Sequence, residues 1–283
     1  MVLRREPTAR QLRLGAELRR LREAAGFTAI EAAALLGVNR VQISHVESGL
    51  TGVSEERLRR FLSHYACTDE EFIASLIAMA TDRTRGWWEE YRGLLPTSFL
   101  DLAELENHAA FLREVQFLYI PGPFQTEDYA RAVFAYRIPE LPQEELEARV
   151  RHRMQRKAVL EGSAPTPYEA VVHEAALRIM VGDRATSRTQ LARLLEFSEW
   201  GHVTVRVIPF GLEGFAGAAS AMTYAGGAVS KLDTVVRDGP HGAAFIDSEA
   251  QLAAFRTLFH RVEGVSLSTE RSRDFIHRLA KEL

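Results

Sequence analysis

The hydrophobic positions of residues 28–49 recur at the spacing of two short amphipathic helices. Ala33 and Leu36 lie three residues apart in the first, and Ile43 and Val46 lie three apart in the second. Residues three apart share one face of a helix, so each pair can turn toward a common core. The pattern therefore predicts two helices, each with one buried face and one polar face.

Three further residues indicate where these helices begin and end. Thr28 and Asn39 carry side-chain oxygens that can accept an orphan backbone N–H, which predicts that they are N-caps. Gly37 lies where the chain must leave the first helix, in a left-handed conformation that glycine adopts without a Cβ penalty. Two short helices joined by such a turn form a helix-turn-helix, whose second helix can enter the major groove of DNA. A helix-turn-helix used only for protein contact is the alternative, which the nearby basic residues disfavour.

The helical pattern continues beyond this motif. Ser54 precedes an amphipathic segment with Leu58 and Phe61 on one face, and another apolar helix follows it. We assign residues 1–67 to an all-α domain of five helices and residues 68–105 to a helical connector.

From about residue 106 the pattern changes to short strands alternating with amphipathic helices. The large apolar residues Val115, Phe117 and Tyr119 fall at every second position, which is typical of a strand that ends at Pro121. Further strands are predicted at 168–174, 202–210, 219–224 and 234–237, and helices at 126–134, 142–162, 187–200, 248–262 and 268–282. The segment 106–283 is therefore predicted to be a mixed α/β domain, which makes the chain α+β overall.

The charge distribution favours a nucleic-acid partner for the first part of the chain only. Residues 1–66 hold 11 Lys and Arg against 7 Asp and Glu, whereas the whole chain has a net charge of −3. Four arginines near the N-terminus are predicted to form a mobile arm along the DNA backbone, where charge neutralisation releases counterions; they are Arg4, Arg5, Arg10 and Arg13. An ordinary solvated terminus is the alternative.

Composition narrows the class of protein further. A length of 283 residues with 46% hydrophobic content fits two globular domains. Cys67 is the single cysteine, which excludes an intramolecular disulfide and a multi-cysteine metal site. No apolar run approaches the roughly 20 residues that span a bilayer, and the first residues lack the apolar core of a signal peptide. We expect a cytoplasmic protein.

The sequence lacks the pattern of a catalytic site. His173 and Glu174 begin like a zinc-protease helix, but Leu177 stands where the second histidine would be. The glycines of the 211–217 segment are not followed by the Lys-Ser/Thr of a phosphate-binding loop. There is no G-x-S-x-G elbow and no cluster of metal-ligating residues. We expect no enzyme activity, cofactor or metal.

Residues 10–66 resemble the Xre/Cro-type helix-turn-helix of bacterial and phage repressors, through RLREAAGFT before the first helix and HVESG at the end of the second. The resemblance implies that Arg22 and Glu47 form a structural ion pair. It implies base-reading positions at Arg40, Val41, Gln42 and His45, and backbone contacts from Asn39, Ser44 and Ser48, with Thr28 in the same DNA-binding set.

The chemistry of the base-reading positions fits the groups displayed in the major groove. Arg40 can reach guanine, Gln42 adenine and Val41 a thymine methyl. The sequence departs from the usual pattern at Ala29, where a glutamine is common, and at Leu50, where a lysine or arginine is common. Two phosphate contacts are therefore expected to be missing.

A second resemblance covers the C-terminal part of the chain. The strings IPGPFQTEDYARAV, VVHEAALR, QLARLLE and VTVRVIPF, with an Arg-rich helix after the first, resemble a domain of unknown function common in actinobacterial regulators of development and antibiotic production. There it follows an Xre-type helix-turn-helix, often in a protein encoded beside a small partner protein. The resemblance implies a protein partner that modulates DNA binding.

The Arg-rich helix itself allows two interpretations. Arg149, Arg153, Arg156 and Lys157 share one helix face with Glu145, so ion pairing along the helix is available. We favour a solvated, ion-paired face, with a site for an acidic ligand or an acidic partner segment as the alternative.

These patterns together predict a sequence-specific DNA-binding transcriptional regulator. A homodimer is expected because two half-sites about one helical turn apart multiply affinity. For the C-terminal domain we rank partner binding or dimerisation first, small-molecule sensing second and enzyme activity third. Sensing would require a pocket larger than about 300 Å³.

Overall fold

The chain divides into two compact units. The computed structural model describes residues 6–82, 85–213, 215, 221–239 and 242–283. Contacts between Cα atoms separate residues 1–86 from residues 87–283. This boundary falls inside the segment that was predicted to be a connector, 68–105. The helix Glu70–Thr81 therefore belongs to the N-terminal unit, and the helix Thr97–His108 belongs to the C-terminal unit.

The N-terminal unit is helical throughout its described part. Its helices are α1 (Ala9–Ala24), α2 (Ala29–Leu36), α3 (Arg40–Glu47), α4 (Glu55–His64) and α5 (Glu70–Thr81). Thr28, Asn39 and Ser54 cap α2, α3 and α4 through their side-chain oxygens, and Asp69 caps α5. Gly37 ends α2 with φ 65°, the left-handed conformation that the turn requires.

One apolar core holds these helices together. The inward faces of α2 and α3 are buried as the spacing predicts, with Leu36 and Ile43 at 3% and 1% exposure. Helices α1, α4 and α5 add buried leucine side chains at Leu18, Leu58 and Leu76. Burial of each such side chain contributes about 1.5–3 kcal/mol, so packing rather than helix propensity fixes the orientation of α3.

The C-terminal unit is built on a six-stranded mixed sheet within the described residues. Its strands are β1 (Phe111–Gln116), β2 (Tyr168–His173), β3 (Val203–Ile208), β4 (Met222–Gly226), β5 (Thr234–Gly239) and β6 (Gly242–Ile246). The strand order is β3-β2-β1-β4-β5-β6. Strands β1, β2 and β3 are parallel, whereas β4, β5 and β6 join by antiparallel pairing.

Helices cover both faces of this sheet. They are α6 (Thr97–His108), α7 (Glu127–Ala135), α8 (Gln143–Gln155), α9 (Glu174–Arg178), α10 (Arg184–Phe197), α11 (Glu249–Val265) and α12 (Thr269–Glu282). On one face, Leu191 of α10 and Ile276 of α12 pack on β2 and β3. On the other face, Leu252 and Phe259 of α11 pack on β1, β4 and β5.

The predicted fold class is confirmed, with local differences. The strand predicted around Val115 ends earlier than expected, because β1 stops at Gln116 and does not reach Pro121. The helix predicted over 142–162 ends at Gln155 and continues as a 3₁₀ helix, Arg156–Val159. Strand β6 and helix α9 were not predicted: β6 has small residues and little burial, and α9 spans only five residues.

In the described ranges, no helix is both long enough and apolar enough to cross a membrane.

Candidate functional site

Helix α3 presents a polar face to solvent while its apolar face is held in the core. Ile43 and Val46 are 1% and 3% exposed. Arg40, Val41 and Gln42 in the first turn are exposed, and Val41 in particular is 57% exposed. Together these three side chains offer a guanidinium, an apolar surface and an amide, which are groups that can contact base edges.

The other predicted contact residues lie around this face. Ser44 and Ser48 are exposed and His45 is half-buried. Thr28 and Asn39 are exposed as well, and each also caps its helix. The Thr28 hydroxyl accepts from the Glu31 backbone N–H at 3.2 Å.

Capping also engages one predicted base-reading residue. The Gln42 backbone N–H donates to Asn39 Oδ1 at 2.8 Å, and Gln42 Oε1 accepts from the Asn39 backbone N–H at 3.3 Å. The Gln42 amide would leave this second, longer bond to reach adenine. The Gln42 side-chain NH₂ takes no part in these capping hydrogen bonds, so it can donate a hydrogen bond outward.

The end of α3 is tied to α1 by a buried ion pair between Arg22 and Glu47. Arg22 Nε and Nη2 donate to the two Glu47 carboxylate oxygens at 2.6 and 2.9 Å. Arg22 Nη1 donates to the Phe27 carbonyl at 2.7 Å, in the turn before α2. The hydrogen bond to Glu47 raises the pKa of Arg22 against the opposing effect of burial. This bidentate geometry is the strong form of the interaction.

Glu47→Ala is expected to destabilise the N-terminal unit by about 3 kcal/mol, because it leaves the Arg22 guanidinium buried without its carboxylate. Thermal unfolding of the full chain measures the effect. Glu55→Ala removes an exposed partner of Arg59 and is the matched control, with an expected loss of a few tenths of a kcal/mol. Equal melting of the two variants would contradict a structural role for the Arg22–Glu47 pair.

Gly15 brings α1 against the end of α3, and the sequence patterns did not single it out. A Cβ at this position would lie 2.4 Å from the Glu47 carbonyl oxygen and 2.8 Å from that of Val46. These are backbone atoms of α3, so the two helices touch where only glycine fits. A glycine inside an otherwise good helix was the available signal, because glycine there costs about 0.5–1 kcal/mol relative to alanine.

The basic arm predicted at the N-terminus is wrong for the part that the structure describes. Arg10 and Arg13 lie in α1. Arg13 is 7% exposed and pairs with Glu17, so it is a helical residue with an intrahelical partner rather than part of an arm. Arg4 and Arg5 lie outside the described residues.

The C-terminal unit contains a cavity of about 450 Å³. Its floor is formed by the sheet, where Glu114, Thr223 and Val236 are neighbours across β1, β4 and β5. Its walls come from α6, with Phe99 and Leu102, from α7, with Val133, and from one face of α8. The cavity therefore lies within a single folded unit, between the sheet and three helices.

The face of α8 that lines this cavity is basic. Arg149, His152, Arg153 and Arg156 follow one another at helical spacings of three, one and three residues, and all four line the cavity. Arg149 and Arg156 are 4% and 6% exposed. The favoured interpretation of this face as solvated is therefore wrong: its residues turn toward the sheet, although Arg149 does pair with Glu145 along the helix.

Two of these arginines have carboxylate partners. Arg156 Nε and Nη2 donate to Glu106 at 2.8 and 2.5 Å. Burial acts to lower the pKa of Arg156. The charge of Glu106 and the hydrogen bonds to Glu106 outweigh this effect, so the pKa of Arg156 is raised overall. Arg149 Nε and Nη2 donate to Glu145 at 3.0 and 2.5 Å.

Arg153 differs from its neighbours because its partner is neutral. Its Nη1 donates to Gln125 Oε1 at 2.5 Å, and the Gln125 amide in turn donates to the Ile120 carbonyl at 2.7 Å. Burial and the nearby charge of Arg156 lower the pKa of Arg153 to about 10. The group still carries its charge at neutral pH, but its surroundings disfavour that charge.

Buried polar atoms on the same face lack hydrogen-bond partners in the described part of the chain. They are Arg149 Nη1 and His152 Nε2. His152 is 1% exposed and packs against Trp87, Tyr91 and Phe99, with ring centroids 5.0, 5.1 and 5.6 Å away. Burial, with the charges of Arg156 and Arg153, lowers the pKa of His152 to about 3, so the ring is neutral.

The sequence held two signals for this cavity. Glu114 shares the strand phase of the apolar Leu112, and both are buried, but the strand was predicted from the opposite phase, that of Val115, which did not identify this carboxyl group. Arg149, His152 and Arg153 share a face with hydrophobic neighbours on α8. Both signals require knowing which elements pack together, because Gln125 and Glu106 come from other parts of the chain. Among the described residues no group of His, Cys, Asp and Glu is arranged to hold a metal ion.

Comparisons with known families agree with this division. A helix-turn-helix domain model matches residues 13–72. The model of a domain of unknown function, DUF5753, matches residues 99–278, which is more than half of the chain. Searches of curated proteins and of solved structures found no match. The chain therefore belongs to the DUF5753 family and carries a helix-turn-helix domain ahead of the domain that defines it.

Proposed function

We propose that this protein is a sequence-specific DNA-binding transcriptional regulator of Xre type. The observation that carries the proposal is the outward face of α3, where Arg40, Val41 and Gln42 are exposed in the first turn. The opposite face of this helix is packed in the apolar core. The N-terminal residues of the second helix are the ones that a helix-turn-helix inserts into the major groove. The match to a helix-turn-helix domain over residues 13–72 supports the same conclusion.

The groups on α3 divide into base-reading and positioning sets. Arg40 offers a fork of donors suited to guanine, and Val41 an apolar surface suited to a thymine methyl. Ser44 and Ser48 are the proposed donors to phosphates, whose contacts fix register without specifying sequence. The Ser48 hydroxyl would give up its hydrogen bond to the His45 carbonyl to make such a contact. We further propose that the protein binds as a homodimer, because a single unit this small offers a limited contact area.

Selection of genomic DNA fragments by the purified full chain tests the proposal. We expect a shared palindromic site, whose half-sites lie about one helical turn apart. Affinity for this site should fall as salt concentration rises, because phosphate contacts release counterions. Recovery of no sequence above background would overturn the proposal of sequence-specific binding.

Arg40→Ala is expected to weaken binding to the selected site by about 1–3 kcal/mol, which is the usual value of one base contact. Random DNA should be bound almost as well as by the wild type. Arg59→Ala on α4 is the matched control, since it removes an exposed arginine of the same unit and should affect both DNAs equally. Equal losses on selected and random DNA for Arg40→Ala would show that Arg40 contacts phosphate only.

For the C-terminal unit we propose a non-enzymatic regulatory role. The cavity of about 450 Å³ exceeds the roughly 300 Å³ at which ligand pockets begin, and this favours small-molecule sensing as the second function. Binding of a small protein partner is the other proposal, supported by the resemblance to actinobacterial regulators rather than by a feature of the cavity. The two differ in where they act, because a partner needs exposed surface and a small molecule needs an enclosed site.

A further inference from the structure

We propose that the cavity of the C-terminal unit binds a small organic oxyanion, a carboxylate or phosphate ester on an apolar body, with the oxyanion held by Arg153 and Arg149. The proposal deepens the sensing role proposed above by naming the class of ligand. It does not depend on DNA binding, because it concerns residues of the C-terminal unit only.

The first argument is the charge on Arg153. Within the described ranges its guanidinium makes no ion pair, and it donates a hydrogen bond to the neutral Gln125 amide oxygen. Arg153 is half-buried, so its guanidinium has lost part of its contact with water without gaining a carboxylate, and charges withdrawn from water are ordinarily paired. Gln125 itself is 2% exposed and anchored to Ile120, so it positions Arg153 without neutralising it. An anion in the cavity would supply the missing charge.

The second argument is unused hydrogen-bonding capacity beside Arg153. Among the described residues, Arg149 Nη1 and His152 Nε2 are buried and lack hydrogen-bond partners, and both residues line the cavity within about one helical turn of Arg153. Unpaired buried polar atoms are rare in native structures and call for an explanation, which a bound anion would supply here. Two guanidinium groups and a neutral imidazole on one helix face form a set able to hold the several oxygens of a carboxylate or phosphate.

The carboxyl groups near the cavity do not cancel this charge. Glu114 accepts from Gln116 Nε2 at 2.6 Å and also from the Tyr168 hydroxyl, so both of its oxygens already have donors. Burial raises the pKa of Glu114. Asp238 lines the cavity but is exposed, where solvent screens it. The paired carboxylates of Glu106 and Glu145 are balanced by Arg156 and Arg149.

The remaining wall determines what else the ligand carries. Leu102, Val133 and Met222 contribute apolar surface to the same cavity. The Phe134 ring lies 4.8 Å from the Arg153 guanidinium, and the Phe99 ring lies 4.8 Å from that of Arg149. Stacking of this kind orients each guanidinium plane. A ligand with an oxyanion at one end and a ring or alkyl body at the other would match both parts of the wall.

Matched pairs of acids and amides test the proposal on the full chain. The probes are benzoate with benzamide, naphthoate with naphthamide and octanoate with octanamide, and naphthyl phosphate represents phosphate esters. Isothermal titration and saturation-transfer NMR measure their binding without DNA. We expect at least one acid to bind at one site per chain, about tenfold or more tightly than its amide, which is the effect of one charge-assisted hydrogen bond. Comparison of naphthoate with naphthyl phosphate identifies the preferred oxyanion.

Arg153→Met should remove the preference for the acid while keeping the apolar contacts of the side chain. Arg188→Met is the matched control, since Arg188 is exposed on α10 of the same unit and should leave binding unchanged. Circular dichroism and thermal melting establish that each variant is folded. Arg153→Lys provides a second test: it keeps the charge but loses the fork, so a partial acid preference should remain.

Three results would overturn the proposal. The first is that no acid binds more tightly than its amide. The second is that the preference for the acid persists in Arg153→Met, and the third is that only a glutamate-rich peptide competes for the site. The last result would assign the cavity to an acidic protein segment. Because DNA binding is measured separately on the same preparation, loss of operator selection with intact acid binding would count against the regulator alone, and the reverse would count against the ligand alone.

Discussion

Gly15→Ala is expected to lower the stability of the N-terminal unit by about 1–3 kcal/mol, the usual effect of forcing extra volume into a packed interior. The added Cβ would lie 2.4 Å from the Glu47 carbonyl oxygen, a separation that requires α1 and α3 to move apart. A backbone carbonyl in a helix cannot turn away as a flexible side chain can. The movement would also strain the ion pair between Arg22 and Glu47.

The same substitution should reduce binding to the selected DNA site by about tenfold or more, because a shift of α3 misplaces base contacts worth about 1–3 kcal/mol each. Thermal melting and titration with the selected DNA measure the two effects. Random DNA provides the comparison, since phosphate contacts tolerate a displaced helix better than base contacts do.

Gly264→Ala is the matched control for Gly15→Ala. Gly264 is also helical, in α11, and an added Cβ there would meet no atom within 4 Å. Alanine is the better helix former by about 0.5–1 kcal/mol, so this variant should be slightly more stable than the wild type. If both glycine variants were stabilised, the close approach of α1 to α3 would be disproved.

The helix-turn-helix could be predicted from the sequence because its determinants are local. Thr28, Gly37 and Asn39 fix the ends of two helices within a dozen residues, and Ile43 and Val46 fix which face is buried. The assignment of particular side chains to DNA stays a prediction, since exposure of Arg40 and Val41 shows access rather than contact. Gly15 was missed because its constraint comes from Glu47, which lies on another helix.

The fold class of the C-terminal unit could likewise be predicted from alternating hydrophobic periods, but the cavity could not. A run of arginines on one helix face is normally solvated, because a buried guanidinium is costly without a partner. The partners here are distant along the chain: Glu106 meets Arg156, and Gln125 meets Arg153. Such pairing depends on how α6 and α8 lie over the sheet, which no local pattern contains.

Arg156→Met is expected to destabilise the C-terminal unit by about 3–5 kcal/mol, because it leaves the 1%-exposed Glu106 without its partner. Thermal unfolding of the unligated full chain measures this loss. Replacing both partners, as in Glu106→Leu with Arg156→Met, removes the unpaired charge and should recover much of the stability. A double variant as unstable as the single one would show that the pair is not the source of the effect.

Arg153→Met should behave in the opposite way in the same experiment, although Arg153 lies only three residues before Arg156 in the chain. Burial and the charge of Arg156 lower the pKa of Arg153 to about 10, which means that the folded state disfavours its charge compared with the unfolded chain. Removing that charge should leave the melting temperature of the unligated protein unchanged or raise it. A fall as large as that of Arg156→Met would make Arg153 a structural residue. A stable variant that has lost its preference for acids would show that the protein retains Arg153 at the expense of its own stability, which is the behaviour expected of a ligand-binding group rather than of a core contact.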